Sequence, residues 1–93
     1  MTGTLVLVRT HSAGVHVGTL IDQSGTEVRL KNAMRIWRWR GANTLHELAL
    51  HGADTSWSRI SEPVSEIILT QAIEIISVAD GAAETLTTPR WGR

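Results

Sequence analysis

The chain has 93 residues and a mass of 10.2 kDa, which suffices for one small core and excludes a second. Nine basic and nine acidic side chains cancel, so bulk charge excludes strong nonspecific attraction to DNA or an anionic membrane. There is no cysteine, hence no disulfide framework and no thiolate zinc site; no apolar run nears about eighteen residues and the N-terminal MTGTLVLVRT lacks a basic-then-apolar leader, so the chain reads as soluble and intracellular.

In chain order, Leu5-Val6-Leu7-Val8 is a short, β-branched apolar run that predicts a buried strand, and His11-Ser12-Ala13-Gly14 predicts a turn. Val15 to Ile21 predicts a second strand, Asp22-Gln23-Ser24-Gly25 a tight reversal, and Thr26 to Leu30 a third strand returning along the second as a hairpin. Lys31-Asn32 reads as another turn before a fourth strand, Met34 to Arg40. Gly41 to Thr44 breaks the β pattern and opens a helix, with Asn43 or Thr44 as cap and Thr44 and Glu47 placed as a capping box. Leu45, Leu48 and Ala49 form its apolar stripe and Gly52 its stop; so short a helix persists only when packed on the sheet.

After a polar loop, Trp57 to Ile60 predicts a short strand and Pro63 an edge or turn. Glu66 to Leu69 and Ala72 to Val78 follow as strands, the second apolar along Ile73, Ile75 and Val78, with Glu66 and Glu74 facing solvent. Asp80 to Leu86 has the look of a short capped segment of helix. The expected fold is α+β: a β-dominated antiparallel sheet with one well-signalled short helix, residues 1–86 as a single small domain and 87–93 as a tail. Slim stability at this size favours oligomerisation. So does charge: residues 27–59 carry six basic and three acidic groups, whereas residues 60–89 carry five acidic and no basic ones. These halves meet either within one fold or across subunits.

Arginine and tryptophan supply the chemistry. All four aromatics are Trp and eight of the nine basic residues are Arg; Arg suits planar, bidentate contact to phosphate or carboxylate, and Trp offers a stacking face. They cluster in Arg35-Ile36-Trp37-Arg38-Trp39-Arg40. On a strand, Arg35, Trp37 and Trp39 share one face and Ile36, Arg38 and Arg40 the other, and neither is an ordinary apolar core face. Two readings stand. In one, indole stacks on a base while guanidinium grips phosphate; in the other, the Trp pair fills the core and the Arg stems cover its rim. A second constellation, Arg9-Thr10-His11-Ser12-Ala13-Gly14-Val15-His16, sets a guanidinium, two hydroxyls and imidazole around a small-residue turn whose backbone N–H groups suit an anion; it is also the makeup of an ordinary hairpin turn. The four histidines fall in pairs five residues apart, His11 with His16 and His46 with His51, on opposite strand faces or about 140° apart on a helix, so no metal site is expected. No nucleophile elbow is present, and the chain is expected not to be an enzyme.

The stretch Val8 to Leu20, with Arg35 to Leu45, Ser58-Arg59-Ile60-Ser61 and Ile73-Glu74-Ile75-Ile76, resembles a family of small phage and prophage proteins long labelled as a domain of unknown function. The same outline is more loosely similar to the first anti-Thoeris sponge family. That family sequesters cyclic ADP-ribose-type signals, and in some members cyclic oligonucleotides, in an oligomer and without catalysis. The chain departs from it in carrying His11 where an aromatic is common and Ser65 where proline is. The resemblance implies a phage-encoded, non-catalytic protein acting in the cytoplasm of the infected bacterial host. It implies a nucleotide-type ligand held at subunit interfaces of a homo-oligomer, dimer to hexamer, with no cofactor, membrane or nucleic-acid polymer. The expected ligand-binding residues are Arg9, Thr10, His11, Ser12, Gly14, His16, Arg35, Trp37, Arg38, Trp39, Arg40 and Arg59. The rival expectation is a phage accessory protein that uses the Arg/Trp strand as a protein–protein hot spot.

Overall fold

A computed structural model describes residues 3–11, 14–38, 45–52 and 59–87, without the side chains of Trp37, Arg38, Leu45, His46 and Leu48. Among these residues the strands are β1 (Leu5–Thr10), β2 (Val15–Ser24), β3 (Glu27–Arg38), β4 (Arg59–Ile60), β5 (Val64–Leu69) and β6 (Ala72–Ser77), and the helices are α1 (Leu45–His51) and α2 (Asp80–Leu86). Every strand pairing is antiparallel. The sheet runs β4-β3-β2-β1-β6, and β5 also lies on β3.

The consecutive strands β5 and β6 therefore sit at opposite ends of the β3-β2-β1 unit, and the sheet rolls back on itself. Thr70 and Gln71 make the link: Ala72 N–H donates to the Thr26 carbonyl, and His11 N–H donates to the Gln71 carbonyl. Rolling creates two apolar regions. Val6, Val8, Leu20, Val28, Leu30, Ala33, Leu69 and Ala72 fill the inside. Leu7, Val17, Met34, Ile36 and Ile60 lie on the other face, covered by Ala49 of α1 and by Ala82 and Leu86 of α2. Because β1 is buried on both faces, its sequence is continuously apolar rather than alternating.

The β2–β3 hairpin is tighter than the sequence suggests. Asp22 to Ser24 still pair with β3, and the turn is Gly25-Thr26, with Gly25 at φ +60°. Lys31-Asn32 is not a turn, and the expected third and fourth strands are one, β3. What reads as a break is a bulge: Thr19 faces Lys31 but Val17 faces Met34, so β3 carries one extra residue there. Asn32 occupies the left-handed region at φ 51°, which Asn tolerates better than branched residues do. Opposite it, Gly18 lets the strands close up; a Cβ there would lie 3.2 Å from Ala33 Cα, Leu30 Cβ and the Lys31 carbonyl oxygen.

Two short helices are present among the described residues: beside the well-signalled α1, α2 spans the segment read as a short capped helix, Asp80–Leu86, but starts after Ala79 without a side-chain cap. Both survive at seven residues through packing rather than propensity. Ala79 N–H donates to the Ala49 carbonyl, and Gly52 stops α1 as expected, at φ +82° with Ala82 and Thr85 of α2 close by. The expected caps Asn43 and Thr44 lie outside the described residues. Ile73 corrects the expected apolar face of β6, being 53% exposed, while Ile75 packs inside and Ile76 against the helix side. No described helix is long and apolar enough to cross a membrane.

Asn32→Val forces a β-branched residue into the left-handed region and is expected to cost about 1–2 kcal/mol of unfolding free energy, whereas Asn32→Gly is expected to be tolerated. Urea unfolding of the two variants checks this.

Candidate functional site

The bulge decides which β3 side chains enter the rolled interior. Val28 and Leu30 face inward, and strict alternation would send Met34 and Ile36 there too. Instead both lie on the helix side, and Arg35 takes the inner-face register directly opposite His16. His16 in turn lies opposite inward-facing Val8 of β1.

His16 and Arg35, with Ala33, Ser61, Val64 and Ile67, line a half-open cleft of about 280 Å³. His16 is 2% exposed, and neither ring nitrogen has a hydrogen-bond partner among the described residues. Burial, reinforced by the positive charge of Arg35, lowers its pKa from 6.5 to about 4. At neutral pH the cleft therefore holds an uncharged imidazole with one donor and one acceptor. Arg35 is exposed, and its guanidinium has no ion-pair partner among the described residues. Its backbone is clamped: Arg35 N–H donates to Ser61 Oγ at 2.8 Å, and Ser61 N–H donates to the Arg35 carbonyl at 2.9 Å. Ser61 Oγ also donates to the Glu62 carbonyl, so this hydroxyl fixes the chain after β4 onto β3. Ala33, Val64 and Ile67 supply apolar wall.

The other expected ligand residues are dispersed. Arg9 faces Val15 and Glu74 on the sheet face opposite Arg35, and its Nε donates to Glu74 Oε1 at 2.9 Å. Within one protomer it does not join Arg35, and Glu74, expected to be merely solvent-facing, is its partner. Thr10 is structural: its N–H and hydroxyl both donate to the Gly14 carbonyl, and Gly14 turns the chain at φ +84°. His11 is exposed beside that turn. Arg59 is half-buried in β4, paired in register with Arg38. Ile36 corrects the view that neither face of residues 35–40 is core, since it is 2% exposed. Ser12, Trp39 and Arg40, and the side chains of Trp37 and Arg38, lie outside the described residues. Among the described residues no cluster suited to a metal ion occurs. Ser61, Val64 and Ile67 carried no sequence signal as site residues; they reach the cleft because β4 and β5 share one edge of β3.

Fold and site define a small rolled-sheet domain with a cleft that pairs a buried neutral imidazole with an exposed guanidinium. The chain belongs to the family described as a domain of unknown function, DUF6948, whose model matches residues 3–86. No curated protein and no solved structure matches it.

The burial of His16 makes stability acid-sensitive. Its folded pKa lies below the unfolded one, so the unfolded chain binds more protons between pH 6.5 and about 4, and this part of the stability is present above 6.5 and lost as pH falls. His16→Leu is expected to reduce the loss of unfolding free energy between pH 7 and pH 4.5 by about 2 kcal/mol, measured by urea unfolding at both pH values.

Proposed function

We propose that this is a phage-encoded, non-catalytic protein that captures a nucleotide-derived signal, a cyclic ADP-ribose isomer or cyclic oligonucleotide, inside the infected bacterial cell. The observation that carries the reading is His16: a ring buried to 2% exposure with both nitrogens unpartnered and lining a cleft with Arg35. Burying polar atoms without partners costs stability, and a ligand that supplies those partners offsets the cost. Arg35 adds charge-assisted hydrogen bonds for an anion. The likeness to the sponge family's outline supports the same reading, and capture requires no bond to be made or broken.

An assembly of several copies fits the reading. The cleft is half-open, and its wall residue Val64 is 49% exposed. Val64 begins β5, which pairs only with β3 among the described strands and also exposes Ile68 at 51%. A second protomer against this edge would cover apolar surface and close the cleft over its ligand.

Incubation with cyclic dinucleotides, cyclic trinucleotides and cyclic ADP-ribose isomers is expected to raise the melting temperature with at least one of them, and heating is expected to release that compound intact. Arg35→Ala is expected to weaken its binding at least tenfold by calorimetric titration, about 1.4 kcal/mol. The absence of any thermal shift across the panel, or recovery of a cleaved product, would refute capture.

A further inference from the structure

We infer that the His16 cleft receives the heterocyclic base of the captured nucleotide and leaves its phosphate outside, on Arg35. This placement rests on the capture reading and reverses the division of labour suggested by the Arg/Trp strand, where indole was to hold the base.

The first reason is electrostatic. A phosphate lodged beside His16 would meet an uncharged ring, a Ser61 hydroxyl already engaged with backbone and the apolar side chains of Ala33, Val64 and Ile67, while Arg35, the cation lining the cleft, is an exposed residue. Stripping water from an anion without a matching buried cation is costly. The guanidinium of Arg35 belongs to an exposed residue and can meet phosphate while the phosphate stays hydrated. Arg9 and Arg29, on other parts of the sheet, are engaged by Glu74 at 2.9 Å and Glu66 at 3.3 Å.

The second reason is complementarity. The neutral imidazole presents one N–H donor and one nitrogen acceptor, both without partners among the described residues. A base edge carries donors and acceptors side by side, and its flat faces suit aliphatic walls. Size points the same way. The cleft measures about 280 Å³, just below the roughly 300–1,000 Å³ range of pockets that enclose whole drug-sized ligands. It therefore has room for one ring system.

Titration of the intact protein separates the two placements. The probes are adenosine, guanosine, cytidine and uridine, their 5′-monophosphates, ribose 5-phosphate, and the cyclic compounds above, with the imidazole nitrogens followed by ¹⁵N NMR. At least one nucleoside is expected to bind and to move the His16 nitrogen resonances, and ribose 5-phosphate is expected not to bind. Arg35→Gln is expected to reduce the matching monophosphate to the affinity of its nucleoside without weakening the nucleoside. His16→Leu is expected to weaken both at least tenfold, and the wild-type nitrogen shifts give the same answer should that variant fail to fold. If ribose 5-phosphate binds as tightly as the nucleotides, or if cyclic nucleotides bind with the His16 nitrogens unmoved, the base placement is wrong while capture stands. If nothing in the set binds, both fall.

Discussion

An extra residue in β3 exchanges the two faces of the protein's longest strand. Before Asn32, Val28 and Leu30 point into the rolled interior; after it, Met34 and Ile36 point to the helices, and Arg35 stands opposite His16. Without that slip the alternation of the strand would drive Ile36 inward and carry Arg35 to the helix-covered face, away from His16. The slip needs two residues of particular kinds: Asn32, which accepts a positive φ, and Gly18, whose missing side chain lets the neighbouring strand approach. A backbone irregularity thus lets both halves of one strand serve an apolar region while the second half, through Ala33 and Arg35, also lines a polar cleft.

The cleft is the least comfortable part of the molecule. Leucine or valine at position 16 would complete the inner core beside Val8 at no polar cost, yet an imidazole is buried there with both nitrogens unpartnered among the described residues. In a domain of 93 residues, where net stability is a small difference between large quantities, such a group is a substantial concession. Places where a fold departs from its own packing rules are those where function is to be sought. The Ser61 clamp on the Arg35 backbone belongs with it, since a guanidinium holds a ligand in a defined place only if the strand beneath it is itself held.

The uneven distribution of charge along the chain acquires a partial structural meaning. Glu66 and Glu74 from the acidic second half meet Arg29 and Arg9, so some of the complementarity is satisfied within one protomer. These are surface pairs of small energetic value. Their effect is selective: they occupy two guanidinium groups on other parts of the sheet and leave Arg35 available at the cleft.

Local pattern alone marked most strand segments, the stop of α1 at Gly52 and the burial of β1, because period, turn chemistry and apolar runs act over a few residues. It also registered the phase break between Leu30 and Met34, although a bulge and a turn leave the same trace in one dimension. The label of a domain of unknown function, read from the motifs, fits the family whose model matches residues 3–86. What only tertiary structure decided was the company each polar residue keeps. His16 and Arg35 are nineteen positions apart in the chain and meet through strand register; Ser61, Val64 and Ile67 join them because β4 and β5 share one edge of β3. Arg9, by contrast, lies close to His16 in the chain but faces the other way and is bound to Glu74. Register and closure are long-range properties, set by how the whole sheet rolls to bury its apolar faces, and no local spacing encodes them.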